Sequence, residues 1–229
     1  PDGKRLYVGV GADSNIGEAG MEREVNRAAI LEFTIATGAS RIYGAGLRNP
    51  VGMAFHPVEQ SLWTVVNERD MLGSDLVPDY LTQVEFGDDF GWPWYYWGGF
   101  IDQRVPAPEE DKRQYIDRPD YGLGAHVAPL GMSFARGPTL GERFANGAFI
   151  ALHGSWNRVP IAGYTVVFVP FAASGAPADA LPITLLSGFV SKDSDKAFGR
   201  PADAQLARDG ALLVADDVGN IIWRVAKAG

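Results

Sequence analysis

No segment of this chain of 229 residues sustains an apolar period of 3.6 residues, so long amphipathic helices are not its framework. What recurs is a tight turn followed by a short apolar run. Pro1-Asp2-Gly3 leads into Leu6-Tyr7-Val8, and Ala207-Arg208-Asp209-Gly210 leads into Leu212-Leu213-Val214. His56-Pro57 ahead of Leu62-Trp63-Thr64-Val65 is a looser copy, and Phe144 to Leu152 is another. Gly, Pro and Asp supply turn dihedrals that strand-forming residues avoid. The copies lie about 55 to 85 residues apart, against roughly 40 to 45 for a compact propeller blade, and loop insertions account for the excess. Repeated β units with glycine and aromatic punctuation predict an all-β fold, a β-propeller rather than a sandwich.

Composition narrows the partners. The formal net charge of -8 argues against nucleic acid and against an anionic membrane surface. No apolar run is long enough to span a bilayer. There is no cysteine, so neither disulfides nor thiol chemistry contribute. The three histidines, His56, His126 and His153, match no zinc spacing. His56 before Pro57 reads as structural, whereas His126 and His153 fall in loops.

The densest stretch runs from Gly46 to Pro93. It opens GLRNPVGMAFHP, continues LWTVVNERD and closes on Phe90-Gly91-Trp92-Pro93. Polar residues gather just outside two short strands, where a rigid β scaffold carries its chemistry. Arg48 and Asn49 stand at a strand entrance fixed by Pro50, and Asn67 to Asp75 is a polar loop. Trp92, Trp94, Tyr95, Tyr96 and Trp97 then crowd one region. They either line a sugar site, stacking on the apolar side of a pyranose, or fill space between blades as buried aromatics do. The charged run from Glu109 to Arg118 reads as a solvated insertion.

These segments resemble the glucose/sorbosone dehydrogenase family, which uses pyrroloquinoline quinone (PQQ), and the sorbosone-type branch most closely. Gly124-Ala125-His126-Val127-Ala128-Pro129, His153-Gly154-Ser155-Trp156-Asn157-Arg158 and Gly199-Arg200-Pro201 extend the likeness along the chain. The resemblance implies a propeller that is six-bladed in the full family, with about four blades here. It also implies PQQ- and calcium-dependent oxidation of an aldose or sugar aldehyde, in the periplasm or outside the cell.

The family's motifs carry over residue by residue. Arg48 and Asn49 match the pair that contacts the quinone, and Arg48 is the expected catalytic cation. Arg200 matches an arginine that binds a PQQ carboxylate. The glucose branch has a second arginine two residues on, where this chain has Ala202, and Arg158 is the suggested substitute. His126 stands where that branch has a threonine near the cofactor. Two successive backbone carbonyls, expected at Arg69 and Asp70, would ligate calcium, a hard cation that accepts carbonyl oxygens.

The family's general base is a histidine just upstream of the turn matched by Pro1-Asp2-Gly3. The resemblance therefore presents the chain as a C-terminal part that holds much of the cofactor cradle but not the base. Exposed blade edges in such a part would favour a homo-oligomer or an open arc. Two other readings stand beside this one. One is a calcium-dependent lactonase using Asn67, Glu68 and Asp217. The other is a propeller that binds without catalysis.

Overall fold

The computed structural model describes residues 2–191 and 196–227. The turn expected at Pro1-Asp2-Gly3 leads into β1 (Arg5–Val10), although Pro1 itself lies outside the described residues. With β2 (Ala29–Thr34) and β3 (Ser40–Gly44), β1 forms a three-stranded antiparallel sheet. A second sheet holds β4 (Asn49–Phe55), β5 (Leu62–Asn67) and β6 (Pro78–Val84). An insertion with the two-residue strands β7 (Tyr95–Tyr96) and β8 (Phe100–Ile101) precedes its last strand, β9 (Tyr121–Ala125). The third sheet is β10 (Pro129–Phe134), β11 (Gly147–Leu152), β12 (Thr165–Pro170) and β13 (Ile183–Leu186). The fourth is β14 (Pro201–Leu206), β15 (Leu212–Asp216) and β16 (Ile221–Val225). The only helices among the described residues are three short 3₁₀ turns, and none is long and apolar enough to cross a membrane.

Each sheet is a meander of neighbouring strands, and successive sheets meet through their first strands, β4 on β10 and β10 on β14. That is the arrangement of propeller blades which the recurring turn and strand predict. The cores lie between blades, and the two-residue period of a strand builds them. On β5, Leu62 and Val66 pack toward the first sheet with Ile30, while Trp63 and Val65 pack toward the third with Met132 and Ile150. On β11, Ala148 and Ile150 serve that same core, while Phe149 and Ala151 pack with Ala204, Leu212 and Val214 of the fourth sheet. Such strands are buried on both faces and read as continuous apolar runs. His56 is buried between Phe134 and Phe171, at ring distances of 5.0 and 5.8 Å, and so is structural as expected.

Glycine sets how close the first strands come. A Cβ on Gly52 of β4 would sit 2.6 Å from the Leu130 carbonyl oxygen and 2.9 Å from the Met132 nitrogen, both on β10. A Cβ on Gly131 of β10 would sit 2.5 Å from Cα of Asp203 on β14. Backbone stands opposite in both cases, so no side chain can swing away. The antiparallel alternation sends the loops after β1, β3, β5, β9, β11, β13 and β15 to one common end of the sheets.

The Gly131→Ala variant should therefore force adjacent blades apart and lose about 1–3 kcal/mol of stability, the usual cost of overpacking. Urea unfolding checks this, and an unchanged midpoint would show that the first strands are not in contact.

Candidate functional site

At that common end the residues singled out from sequence converge on the loop after β5. Arg48 lies at the entrance to β4 and is mostly buried. Its Nη1 donates to the Glu68 carbonyl (2.8 Å), and its Nη2 is 3.7 Å from an Asp70 carboxylate oxygen. The other oxygen of that carboxylate is 3.2 Å from Nδ1 of His126, whose Nε2 donates to the Gly73 carbonyl (2.9 Å). Asn49 turns its Oδ1 to the backbone N–H of Ala12 (3.0 Å) and so ties in the loop after β1. Arg158 donates to the Ser74 carbonyl and to the Asp75 carboxylate (3.0 Å). One loop thus gathers Arg48, His126 and Arg158.

Arg200 stands apart from that group and is already engaged. Its Nε donates to the His153 carbonyl (2.9 Å) and its Nη2 to the Gly154 carbonyl (2.6 Å), and the guanidinium lies 5.3 Å over the Tyr164 ring. Those two residues also donate their N–H groups to Ala128 and Val127, next to His126. Arg200 therefore braces the loop after β11 through Nε and Nη2. His153 presents Nε2 to both carboxylate oxygens of Asp217, at 3.0 and 3.1 Å, and its Nδ1 has no hydrogen-bond partner among the described residues.

Five buried side-chain polar atoms lack a partner among the described residues, and three of them belong to this end: Arg48 Nε, Arg158 Nε and Asn157 Nδ2. All three are donors. A buried donor left unsatisfied costs about 1–3 kcal/mol, so the end is short of acceptors and suited to a ligand that brings them. Asn157 escaped the sequence reading although it lies within the quoted HGSWNR segment, because nothing in the sequence separates a donor that is bonded from one that is not.

Two expectations are corrected. The Asp70 carbonyl already accepts from Asn15 Nδ2 (3.1 Å) and Arg104 Nη1 (2.8 Å), so both of its lone pairs are used and a guanidinium adjoins it. In this structure that carbonyl is not free to serve as a calcium ligand. The lactonase residues do not converge either. Asn67 Nδ2 donates to the Pro129 carbonyl (2.7 Å), the Glu68 carboxylate binds Arg69, and Asp217 holds His153. Among the described residues no three His, Asp or Glu side chains are grouped to hold a metal.

Beneath the site lies Asp79, which sequence reading missed. Only its place within the apolar run of β6 hints at it. It is 3% exposed and accepts the N–H groups of Glu68 and Ala128, both at 2.8 Å, joining the loop after β5 to the turn after β9. Burial pushes its carboxyl up to about 7, against the opposing pull of those two N–H groups. Because the folded value exceeds the unfolded one, the folded state holds the proton more tightly between them. The stability Asp79 contributes is then complete below about pH 4 and is lost as pH rises through about 7.

Denaturant melts between pH 5 and 7 should show stability falling by up to about 1.4 kcal/mol per pH unit. In Asp79→Asn that slope should vanish, and the pH 5 stability should drop by about 1–3 kcal/mol because one backbone N–H loses its acceptor. Identical slopes in both proteins would exclude Asp79 as the titrating group.

Comparison with known proteins follows this geometry. The family model described as glucose/sorbosone dehydrogenase matches residues 32–155, and one described as TrAA12-like matches residues 100–228. An uncharacterized protein of Borreliella burgdorferi is 36% identical over 228 residues, covering 96% of this chain and 57% of that protein. A pyrroloquinoline quinone-dependent pyranose dehydrogenase of Coprinopsis cinerea is 30% identical over 226 residues, covering 77% of this chain and 29% of the relative. The calcium structure of a Trichoderma reesei carbohydrate-active enzyme of family AA12 superposes with a TM-score of 0.80 at 21% identity, over 98% of this chain and 65% of that one. The chain thus spans 65% or less of the length of these proteins.

Proposed function

The chain belongs to the glucose/sorbosone dehydrogenase family, and on that footing we propose that it supplies the quinone-binding end of a PQQ-dependent sugar dehydrogenase. The substrate class is an aldose or a sugar aldehyde of the sorbosone kind, and the expected location is the periplasm or the outside of the cell. The observation that carries this reading is the surplus of buried donors, Arg48 Nε, Arg158 Nε and Asn157 Nδ2. PQQ is a flat ortho-quinone with three carboxylates, and its oxygens are the acceptors such donors lack.

When bound, PQQ supplies the two-electron acceptor for the sugar. The rest falls to the chain. Arg48, Asn157 and Arg158 would hold it with N–H groups that make no other bond. The anchor of Arg48 on the Glu68 carbonyl and the nearby Asp70 carboxylate keep its guanidinium in place, so its charge is set before the reaction begins. Arg200 is a positioning residue, since it fixes the carbonyls of His153 and Gly154. His153 is the group we assign to take the sugar hydroxyl proton within this chain. With Nε2 held by Asp217, its Nδ1 is left to accept, the geometry by which a carboxylate orients a histidine base. Calcium does not enter this reading through the Asp70 carbonyl, which already accepts two donors.

Thermal shift with PQQ tests the cradle. At about 100 times the dissociation constant it should stabilise the chain by roughly 2.7 kcal/mol, and Arg48→Ala should abolish the shift. An equal shift in Arg48→Ala would refute the assignment. His153→Asn should keep the shift but slow sugar oxidation about 10²–10⁴-fold. If His153→Asn oxidises sugar at the parent rate, His153 is not the base.

A further inference from the structure

The insertion between β6 and β9 carries a second site that the oxidation does not need. Two adjoining cavities, of about 460 and 370 Å³, open in it and share Trp94, Tyr95 and Pro108 as a common wall. Neither is lined by any residue of the donor-rich end. Trp92 belongs to the wall of the larger one, where its indole is locked by a bond from Nε1 to the Asn15 carbonyl (2.9 Å). Tyr95 is locked as well, its hydroxyl donating to Asp111 and its carbonyl accepting from Arg69. Two of the three aromatic rings are therefore fixed before any ligand arrives, while Trp94 stands half-exposed between the cavities. Glu109 and Glu110 stand on the rim of the larger cavity, exposed and without a hydrogen bond among the described residues.

We infer that this double cavity binds a neutral oligosaccharide, one sugar ring against each side of the Trp94 wall. Cavities of this size suit small ligands, with flat apolar walls for contact area and a few polar groups for orientation. A pyranose offers a flat C–H face to an aromatic ring and a rim of hydroxyls to its edge. Carboxylates accept only, so Glu109 and Glu110 call for a ligand rich in donors. A proline-rich peptide also packs on aromatics, but proline has no N–H to give. The two glutamates oppose an acidic sugar, whereas Lys112 offsets only part of their pull on an organic cation, which choline tests directly. Acting beside the donor-rich end, such a site would keep a saccharide chain at hand. It stands on the cavity alone and does not depend on the quinone reading.

Isothermal titration with cellotriose and with maltotriose tests this on the full chain, with choline, tri-proline and a trimer of galacturonic acid as competitors. At least one neutral trisaccharide should bind saturably, with a dissociation constant on the order of 1 mM. Trp94→Ala should weaken it at least about tenfold, and Arg48→Ala should leave it unchanged. The exposed pair Glu109→Gln and Glu110→Gln should also weaken it, in a variant whose circular dichroism matches the parent. The proposal is overturned if neither trisaccharide binds saturably, or if binding survives both variants. It is equally overturned if Arg48→Ala abolishes binding, which would put the sugar at the donor-rich end, or if only a competitor saturates the cavity.

Discussion

The donor-rich end hangs on one buried cation. The Arg69 side chain is entirely out of solvent, where an unpaired charge costs several kcal/mol. Every face of its guanidinium is matched. Nε binds the Glu68 carboxylate (3.0 Å), Nη1 binds the Pro93 carbonyl (2.6 Å) and the Asp102 carboxylate (3.3 Å), and Nη2 binds the Tyr95 carbonyl (2.6 Å). One of these four partners, Glu68, neighbours Arg69 in the loop after β5, and the other three come from the insertion. Asp102 is pulled two ways. Burial would raise its carboxyl, but the fork of Arg104 and the charge of Arg69 outweigh that and hold it below the usual carboxylate range. Arg104 in turn reaches the Asp70 and Met71 carbonyls. The insertion and the loop that holds Arg48 and His126 are thus one polar unit, in which removing any member strands a charge.

Around that unit the fold supplies rigidity of a different kind. The blades interlock through cores that each strand feeds from both faces, and glycine lets the first strands touch. Loops at the common end then have little freedom in their anchor points. This is why a guanidinium held at one edge by Glu68 and Asp70 can leave its Nε buried and unpaired. A flexible end would collapse and pair such a donor internally. The energetic debt is visible at Arg48, Asn157 and Arg158, and a ligand carrying acceptors repays it. The aromatic crowd divides along the same lines. Trp92 and Tyr95 are buried and Trp97 packs by Tyr80, as space-filling aromatics do, while Trp94 stays half-exposed between two cavities.

The sequence alone determined the fold class, the strands that follow its clearest turns and the identity of Arg48 as the cation at a strand entrance. Turn residues act locally, and a two-residue apolar period can be read along the chain. It also carried the family motifs, because those are runs of neighbouring residues. Only the tertiary structure decided which polar groups are already satisfied. Arg200 looks like a free cation in the sequence, yet it bonds carbonyls 47 and 46 positions away. The Asp70 carbonyl lost its place as a metal ligand to Asn15 and Arg104, 55 and 34 positions distant. Backbone carbonyls are identical at every residue and leave no mark in the sequence, so whether a donor is free is settled where chain segments meet.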